Sequence, residues 1–405
     1  MEKPAINGRE PIRKKPFPAR KPFGKEEIKL VVEAIKSQNL FAPSGNKVKE
    51  FEKQFAEKYG VKYAVMSTSG TSAIHIAIGS INPEPGSEII TAPVTDFGTI
   101  AGILYQGCIP IFADWKKYTF NMDPEDIEKK ITEKTAAIIV VHLFGNPCDM
   151  DKIMAVAKKY KIPVIEDCCQ AYFTTYRGKY VGTFGDIGCF SMQQSKHMTA
   201  GEGGITITNN KKYGERMFLF RDKGWQRLSF GSRAYLFLAP NYRPTEITGA
   251  IGLAQLKKAE NVVKKRNSLG DMLTELIKDV PEILPAPVTS GGKHSYWTYP
   301  FKIIGLNPKK FIEGLKAEGI PAAYAYTGKP IYLCSDALRR KKTFGNSGYP
   351  FNSQYYNKEI EYKAGLCPVA EKELTLLGTI GINENWSEKD IKDVAKAIKK
   401  IAKNL

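Results

Sequence analysis

The sequence predicts an α/β protein: a large domain built on a mainly parallel sheet between helices, followed by a smaller C-terminal α+β domain. Three observations carry this. Seven short apolar runs (KYAVMS, EIITAP, IPIFAD, AAIIVVHL, IPVIED, DIGCFS and GITITN) follow one another between Lys62 and Asn209. Helical segments separate several of them, and such alternation marks a parallel sheet covered on both faces. The chain is 405 residues long, 42% hydrophobic and 25% charged, which supplies a large core and excludes a mainly disordered chain, a collagen-like repeat and a small disulfide scaffold.

In order along the chain, residues 1–23 are basic and carry Pro4, Pro11, Pro16, Pro18 and Pro22, the composition of an extended arm with no core of its own. The large domain spans residues 24–283. It opens with two amphipathic helices. Ile28, Val31, Val32 and Ile35 have helical spacing, as do Val48, Phe51, Phe55 and Tyr59, with Gly60 as a stop. SAIHIAIGSI, DPEDIEKKI and DMDKIMAVAKKYK read as helices between strands, and TEITGAIGLAQLKKAENVVKKR as a helix leading away from the sheet. The small domain spans residues 284–405. YWTYPFKII and TIGIN are its strands, and KKFIEGLKAEG is a helix. A last helix is capped by Ser387, with Asp390 three residues on. Residues 326–365 show no period and read as loop.

Lys and Arg number 60 against 42 Asp and Glu, a net charge of +18. That balance suits an anionic partner: nucleic acid, a membrane surface or a phosphorylated small molecule. The lysines are dispersed, which a generally lysine-rich proteome explains equally well; no helix-turn-helix or RNA-binding signature accompanies them, so nucleic acid is not expected as a partner, nor is a membrane. The seven cysteines (Cys108, Cys148, Cys168, Cys169, Cys189, Cys334 and Cys367) are odd in number, with no C-x-x-C pair. We expect reduced thiols, a cytoplasmic protein and no metal site. No apolar run has the length of a membrane span, and no signal peptide is expected.

In parallel sheets ligands bind beyond the carboxyl ends of the strands, so the loops there are the place to seek chemistry. Ser69-Gly70-Thr71-Ser72 follows a strand and opens a helix; it is either a phosphate cup or an ordinary cap. Ile165-Glu166-Asp167-Cys168-Cys169-Gln170 ends a strand, with an acid that either caps a helix or faces a protonated ring nitrogen. Lys196 follows the strand ending at Ser191 and precedes Gly201-Glu202-Gly203-Gly204; it is either a surface lysine or a desolvated nucleophile. Asn241-Tyr242-Arg243 precedes the long helix. Together these fit pyridoxal 5'-phosphate (PLP), which needs a lysine, a carboxylate at its pyridine nitrogen and a phosphate cup.

The motifs SGTSA, IEDCCQA, GDIGCFSMQQSK with AGEGG, NYRPTEITGAIGLAQL and CPVAE resemble those of the DegT/DnrJ/StrS sugar aminotransferases. These are PLP-dependent enzymes of fold type I, in the aspartate-aminotransferase superfamily. The resemblance runs from about Pro22 to Leu405. It implies that Lys196 holds PLP and moves protons, and that Asp167 pairs with the pyridinium. Gln170 would lie near the ring, Gly70, Thr71, Ser72 and Ser191 at the phosphate, and Asn241 would reach the phosphate of a partner subunit in a homodimer with shared active sites. Relatives with histidine at the lysine position are dehydratases, so Lys196 favours amino transfer. His197 is expected to be structural.

One loop departs from the family pattern. Where an aromatic usually stacks on the ring, Asp96 stands at the aligned position and Phe97 one later; either Phe97 takes the stacking role, the reading preferred here, or the ring face is covered differently, and Asp96 is a candidate to face substrate. His294, Tyr324, Tyr326 and Lys329 are candidate substrate residues, whereas Trp297 is expected to be core. Arg221 is a candidate carboxylate or phosphate ligand, and Arg243 is expected to be structural. The activity implied is transfer of an amino group from an amino acid, L-glutamate or L-glutamine, to a keto sugar, nucleotide-linked, or a keto-cyclitol. A PLP-dependent dehydratase or lyase and a non-enzymatic nucleic-acid-binding protein are the competing readings.

Overall fold

A computed structural model describes residues 3–227 and 233–405, so the first two residues of the arm lie outside it. All seven apolar runs are strands of one sheet: β1 (Tyr63–Ser67), β2 (Glu88–Thr91), β3 (Ile109–Phe112), β4 (Thr135–Val141), β5 (Val164–Asp167), β6 (Ile187–Ser191) and β7 (Gly204–Thr208). Their order across the sheet is β1-β7-β6-β5-β4-β2-β3. Neighbours from β3 to β6 pair in parallel; β7 alone runs the other way, antiparallel to both β6 and β1. The reversed strand has a direct consequence. The connection from β6 to β7 is a hairpin, with Ser191 opposite Gly204, so residues 192–203 loop back over the carboxyl ends of the parallel strands.

Successive residues of a strand point to opposite faces, and here both faces are buried. Met66, Ile90, Ile138, Val140 and Phe190 lie in the core on one side, and Val65, Ile89, Ile139, Ile165 and Cys189 in the core on the other. The second side is covered by α3 (Gly70–Ile81) and by Met217 and Phe220 of the helix Lys211–Arg221. The first is covered by α2 (Lys47–Tyr59). Preceding α2, α1 (Lys25–Lys36) presents its apolar stripe outward: Ile28, Val32 and Ile35 are 65%, 42% and 49% exposed, with Leu40 and Phe41 beside them in sequence at 40% and 44%.

The long helix Glu246–Ile277 passes from the first core into a second, built on a four-stranded antiparallel sheet that includes Tyr299–Ile303 and Leu377–Ile380. The last helix, Glu388–Ala402, covers this second core, with the expected capping box between Ser387 and Asp390. Residues 326–365 hold two short helices, and their Tyr332, Phe351, Tyr356 and Tyr362 return to the first core. The arm is docked rather than free. Phe17 stacks on Trp386 at 4.1 Å, Arg13 pairs with Asp390 at 2.6 Å, and Glu318 accepts the amides of Ala5 and Ile12. Among the described residues, no helix is long and apolar enough to cross a membrane.

Three buried histidines make stability pH-dependent. Burial holds His75 down to about 4, His294 to about 3, and His197 well below its usual range, opposed only in part by hydrogen bonds at His75 and His197. Below the unfolded value of about 6.5 the unfolded chain takes up protons that the folded one refuses, so acid costs about 1.4 kcal/mol per pH unit for each histidine still neutral. The urea midpoint should be flat from pH 7.5 to 7 and fall from pH 6.5 to 5; a midpoint unchanged to pH 5 would contradict this. His294→Gln should remove its share of the slope.

Candidate active site

Strand β5 ends in two adjacent carboxylates that the pleat sends to opposite faces. Glu166 is fully buried and accepts four donors: the amides of Gly182, Phe184 and Gly185 at 2.6 to 2.7 Å, and His142 Nε2 at 3.0 Å. His142 Nδ1 accepts the Cys148 amide, so its Nε2–H donates to Glu166. Glu166 and His142 therefore form a hydrogen-bonded support for the loop entering β6, and the Cys168 thiol lies within 4.8 Å of their ligand-type atoms. Asp167 faces the other way, into a cavity of ≈ 390 Å³ over the strand ends. Thr99 donates to its Oδ2 at 2.9 Å and the Cys169 amide to its Oδ1 at 3.1 Å.

The rim opposite is the start of α3. Ser69 caps it, accepting the Ser72 amide, while Ser72 Oγ accepts the Ser69 amide at 2.8 Å. The first N–H groups of a helix have no intrahelical partner and suit an anion. The fit is tight here. A Cβ on Gly70 would meet Ser191 Cβ at 2.7 Å, and one on Gly204 would meet the Ser69 carbonyl at 1.9 Å, which accounts for glycine in both motifs.

Lys196 stands in the hairpin loop with its Nζ 4.3 Å from the centre of the Trp297 ring. Burial pushes its ammonium below the usual lysine range, and Cys169, Asp167, Asp96 and Glu202 oppose the shift. Gln170 closes another side: its Oε1 accepts the Phe144 amide at 2.8 Å and its Nε2 donates to Tyr326 Oη at 3.1 Å.

Of the residues singled out in the sequence, Gly70, Thr71, Asp96, Asp167, Gln170, Ser191, Lys196 and Tyr326 line this one cavity. The others do not. The Ser72 hydroxyl is consumed by the cap. Asp96 caps the helix Phe97–Tyr105 through the Gly98 amide at 2.8 Å, and Phe97, expected to stack on the ring, begins that helix 37% exposed and outside the cavity lining. His294 is buried and stacked on Tyr296 at 4.1 Å. Tyr324 donates to the Thr375 carbonyl, and the Lys329 carbonyl accepts Thr327, neither at the cavity. Asn241 bridges to Asp222 outside the lining of its own chain's cavity. Arg221 is taken up by Glu52 and the Met66 carbonyl, and Arg243 by Asp222.

Trp297, expected in the core, packs half-buried against the first core and also walls the cavity, its Nε1 donating to the Ser195 carbonyl at 3.1 Å. Thr95 and Thr99 are further lining residues that the motifs did not single out, and Glu202 of the AGEGG motif lines the cavity without having been given a role. An aromatic face against a cation is worth about 1 kcal/mol or more once desolvated, so Trp297→Ala should lower kcat/KM about tenfold and Trp297→Phe less. Equal values for both variants and the wild type would show that the indole is only filler.

Residues 22–399 match the family model described as the DegT/DnrJ/EryC1/StrS aminotransferase family. GDP-perosamine synthase of Escherichia coli O157:H7 is 38% identical over 68% of this chain and 74% of that protein. A putative L-glutamine:3-amino-2,3-dideoxy-scyllo-inosose aminotransferase of Micromonospora echinospora is 30% identical over 100% and 98%. Among solved structures, the E. coli GDP-4-keto-6-deoxy-D-mannose-3-dehydratase with bound hydrated PLP superposes with a TM-score of 0.82, at 26% identity, over 95% of this chain and 99% of that one. The architecture is that of fold type I PLP-dependent transferases. With the lysine, the carboxylate and the helix start gathered at one cavity and the match running through both cores, the chain belongs to the DegT/DnrJ/EryC1/StrS aminotransferase family.

Proposed function

We propose that the protein is a PLP-dependent aminotransferase that moves the amino group of L-glutamate or L-glutamine to a keto sugar, nucleotide-linked, or to a keto-cyclitol. The observation that carries this reading is a single cavity lined by Lys196, Asp167 and the anion-binding start of α3. PLP, bound there, supplies an electron sink for amino transfer. The residues of the chain do the rest. The amides at Gly70 and Thr71 and the Ser191 hydroxyl would hold the phosphate. Asp167, oriented by Thr99 and the Cys169 amide, would keep a proton on the ring nitrogen. Lys196, its charge disfavoured by burial, gives up its proton readily and can move one to and from a substrate carbon at Nζ. Gln170, Tyr326 and Trp297 wall the cavity against water.

The acceptor class rests on the relatives' printed activities, a GDP-sugar enzyme and a cyclitol enzyme, and the charge of +18 suits a diphosphate. A homodimer is favoured by the exposed apolar stripe of α1 with Leu40 and Phe41, which a second copy would cover. Phe41 is bridged to Thr245, near Asn241 in sequence, so this stripe is continuous with the loop expected to reach a neighbouring site. Free thiols, five of them buried and one half-buried, suit the reducing cytoplasm.

The dehydratase among the structural neighbours makes loss of a hydroxyl the second reading. Product analysis decides: with a nucleotide-linked keto sugar and L-glutamate, mass spectrometry should show gain of an amine. Loss of water with no nitrogen gained would establish elimination instead.

A further inference from the structure

We propose that Arg20, on the N-terminal arm, is a positioning residue for Lys196: it grips the backbone around the lysine from one side, while the segment presenting Trp297 grips it from the other. This rests on the reading of Lys196 given above. The loop 192–203 lies between two strands, and its carbonyls need donors from elsewhere. Arg20 supplies three of them. Its Nη1 donates to the carbonyls of Lys196 at 2.5 Å and Gln194 at 3.2 Å, and its Nη2 to that of His197 at 2.6 Å. Its Nε donates to Glu384 at 2.7 Å, and the side chain is only 14% exposed. A planar fork with five donors can do this; an ammonium cannot reach the same set at once.

The opposite grip is equally specific. His197 Nε2 bonds the Ser295 carbonyl at 2.9 Å, and Trp297 Nε1 donates to the Ser195 carbonyl at 3.1 Å. Arg266 joins the two sides, bonding Glu384 at 2.9 to 3.0 Å and the Trp297 carbonyl at 3.2 Å. Arg20 is itself held in place, because Asn383 and Asn385 donate to the carbonyls of Pro18 and Ala19, and Phe17 stacks on Trp386. The arm is thus a strap that reaches the backbone of the candidate nucleophile before Pro22 ties it to the long helix through Gln255 and Lys258. Without Arg20 the loop admits water, and the burial that keeps the Lys196 amine available is relaxed. Asp96, Asp167, Glu202 and Cys169, which face the lysine, stay as they are.

The test uses the full chain free of cofactor, as wild type, Arg20→Ala and Arg20→Lys. Amide hydrogen exchange is followed over 192–203. The rate at which added PLP forms a borohydride-reducible adduct is followed by quenching with borohydride and peptide mapping. Arg20→Ala should speed exchange of the loop about tenfold, leave β5 unchanged, and slow adduct formation at Lys196 about fivefold or more. Arg20→Lys should recover part of both. Wild-type exchange and adduct rates in Arg20→Ala would overturn the proposal, as would faster exchange spread equally over β5, which would mark general support of the fold. A wild-type adduct on another lysine would overturn the reading of Lys196, and with it the positioning role, while the exchange data would still report whether Arg20 holds the loop.

Discussion

Lys196→Ala is expected to lower kcat for amino transfer about 10⁴-fold or more, since the nucleophile and the proton carrier are lost together. It should also abolish the borohydride-reducible adduct at that position. The apoprotein should keep its stability, because the loop is held by its backbone, through Arg20, His197 and Trp297, and not by the lysine side chain. Lys196→Arg separates charge from chemistry. A guanidinium can still face the Trp297 ring, but it holds its proton at any working pH. It should be as inactive as the alanine variant. Substantial activity in either variant would mean that another amine does the work.

Asp167→Asn is expected to cost about 10²–10³ in kcat, the scale of removing one well-placed electrostatic partner. The amide preserves shape and can still accept from Thr99 or the Cys169 amide, so the cavity should persist. The negative charge that would keep the ring nitrogen protonated is what disappears. The adduct at Lys196 should therefore still form while turnover falls. Activity within a few fold of wild type would remove Asp167 from the mechanism. Its neighbour Glu166 offers a contrast. Glu166→Gln replaces an acceptor of four donors in the interior, so its effect should be on stability, about 3 kcal/mol, read by urea unfolding.

Much of this architecture was legible because burial on both faces writes itself as short apolar runs, and all seven runs read as strands of the large sheet are strands, whereas TIGIN of the small domain overlaps its strand, Leu377–Ile380, by two residues. The direction of β7 was not legible, since an apolar run carries no sign. The helix Phe97–Tyr105 escaped because its residues are apolar or small on nearly every side, leaving no period to read. With Asp96 as its N-cap, the helix opens at Phe97, which lies outside the cavity lining, and nothing in the local sequence shows that start.

At the site, Lys196, Asp167, Gly70, Thr71, Gln170, Ser191, Asp96 and Tyr326 could be gathered from their motifs and places in the chain, mostly loops at the ends of strands. Ser72 could not be told from a phosphate ligand, because a serine three residues after Ser69 serves a capping box equally well. Trp297 sits just before the strand Tyr299–Ile303, where the alternation of YWTYPF suggests its packing against the core and gives no sign of the cavity it also lines. Arg20 lay in a proline-rich arm, and no local pattern could connect it to carbonyls more than 170 residues away.

The central claim, that this cavity accepts an amino group from an amino acid, is tested most directly by the absorbance of the PLP-reconstituted protein during addition of L-glutamate and, separately, L-glutamine. The account predicts that the visible band of the protein-bound cofactor bleaches with at least one of them, with one equivalent of the corresponding keto acid released. A band that forms and stays unchanged with both donors, with no keto acid produced, would contradict it.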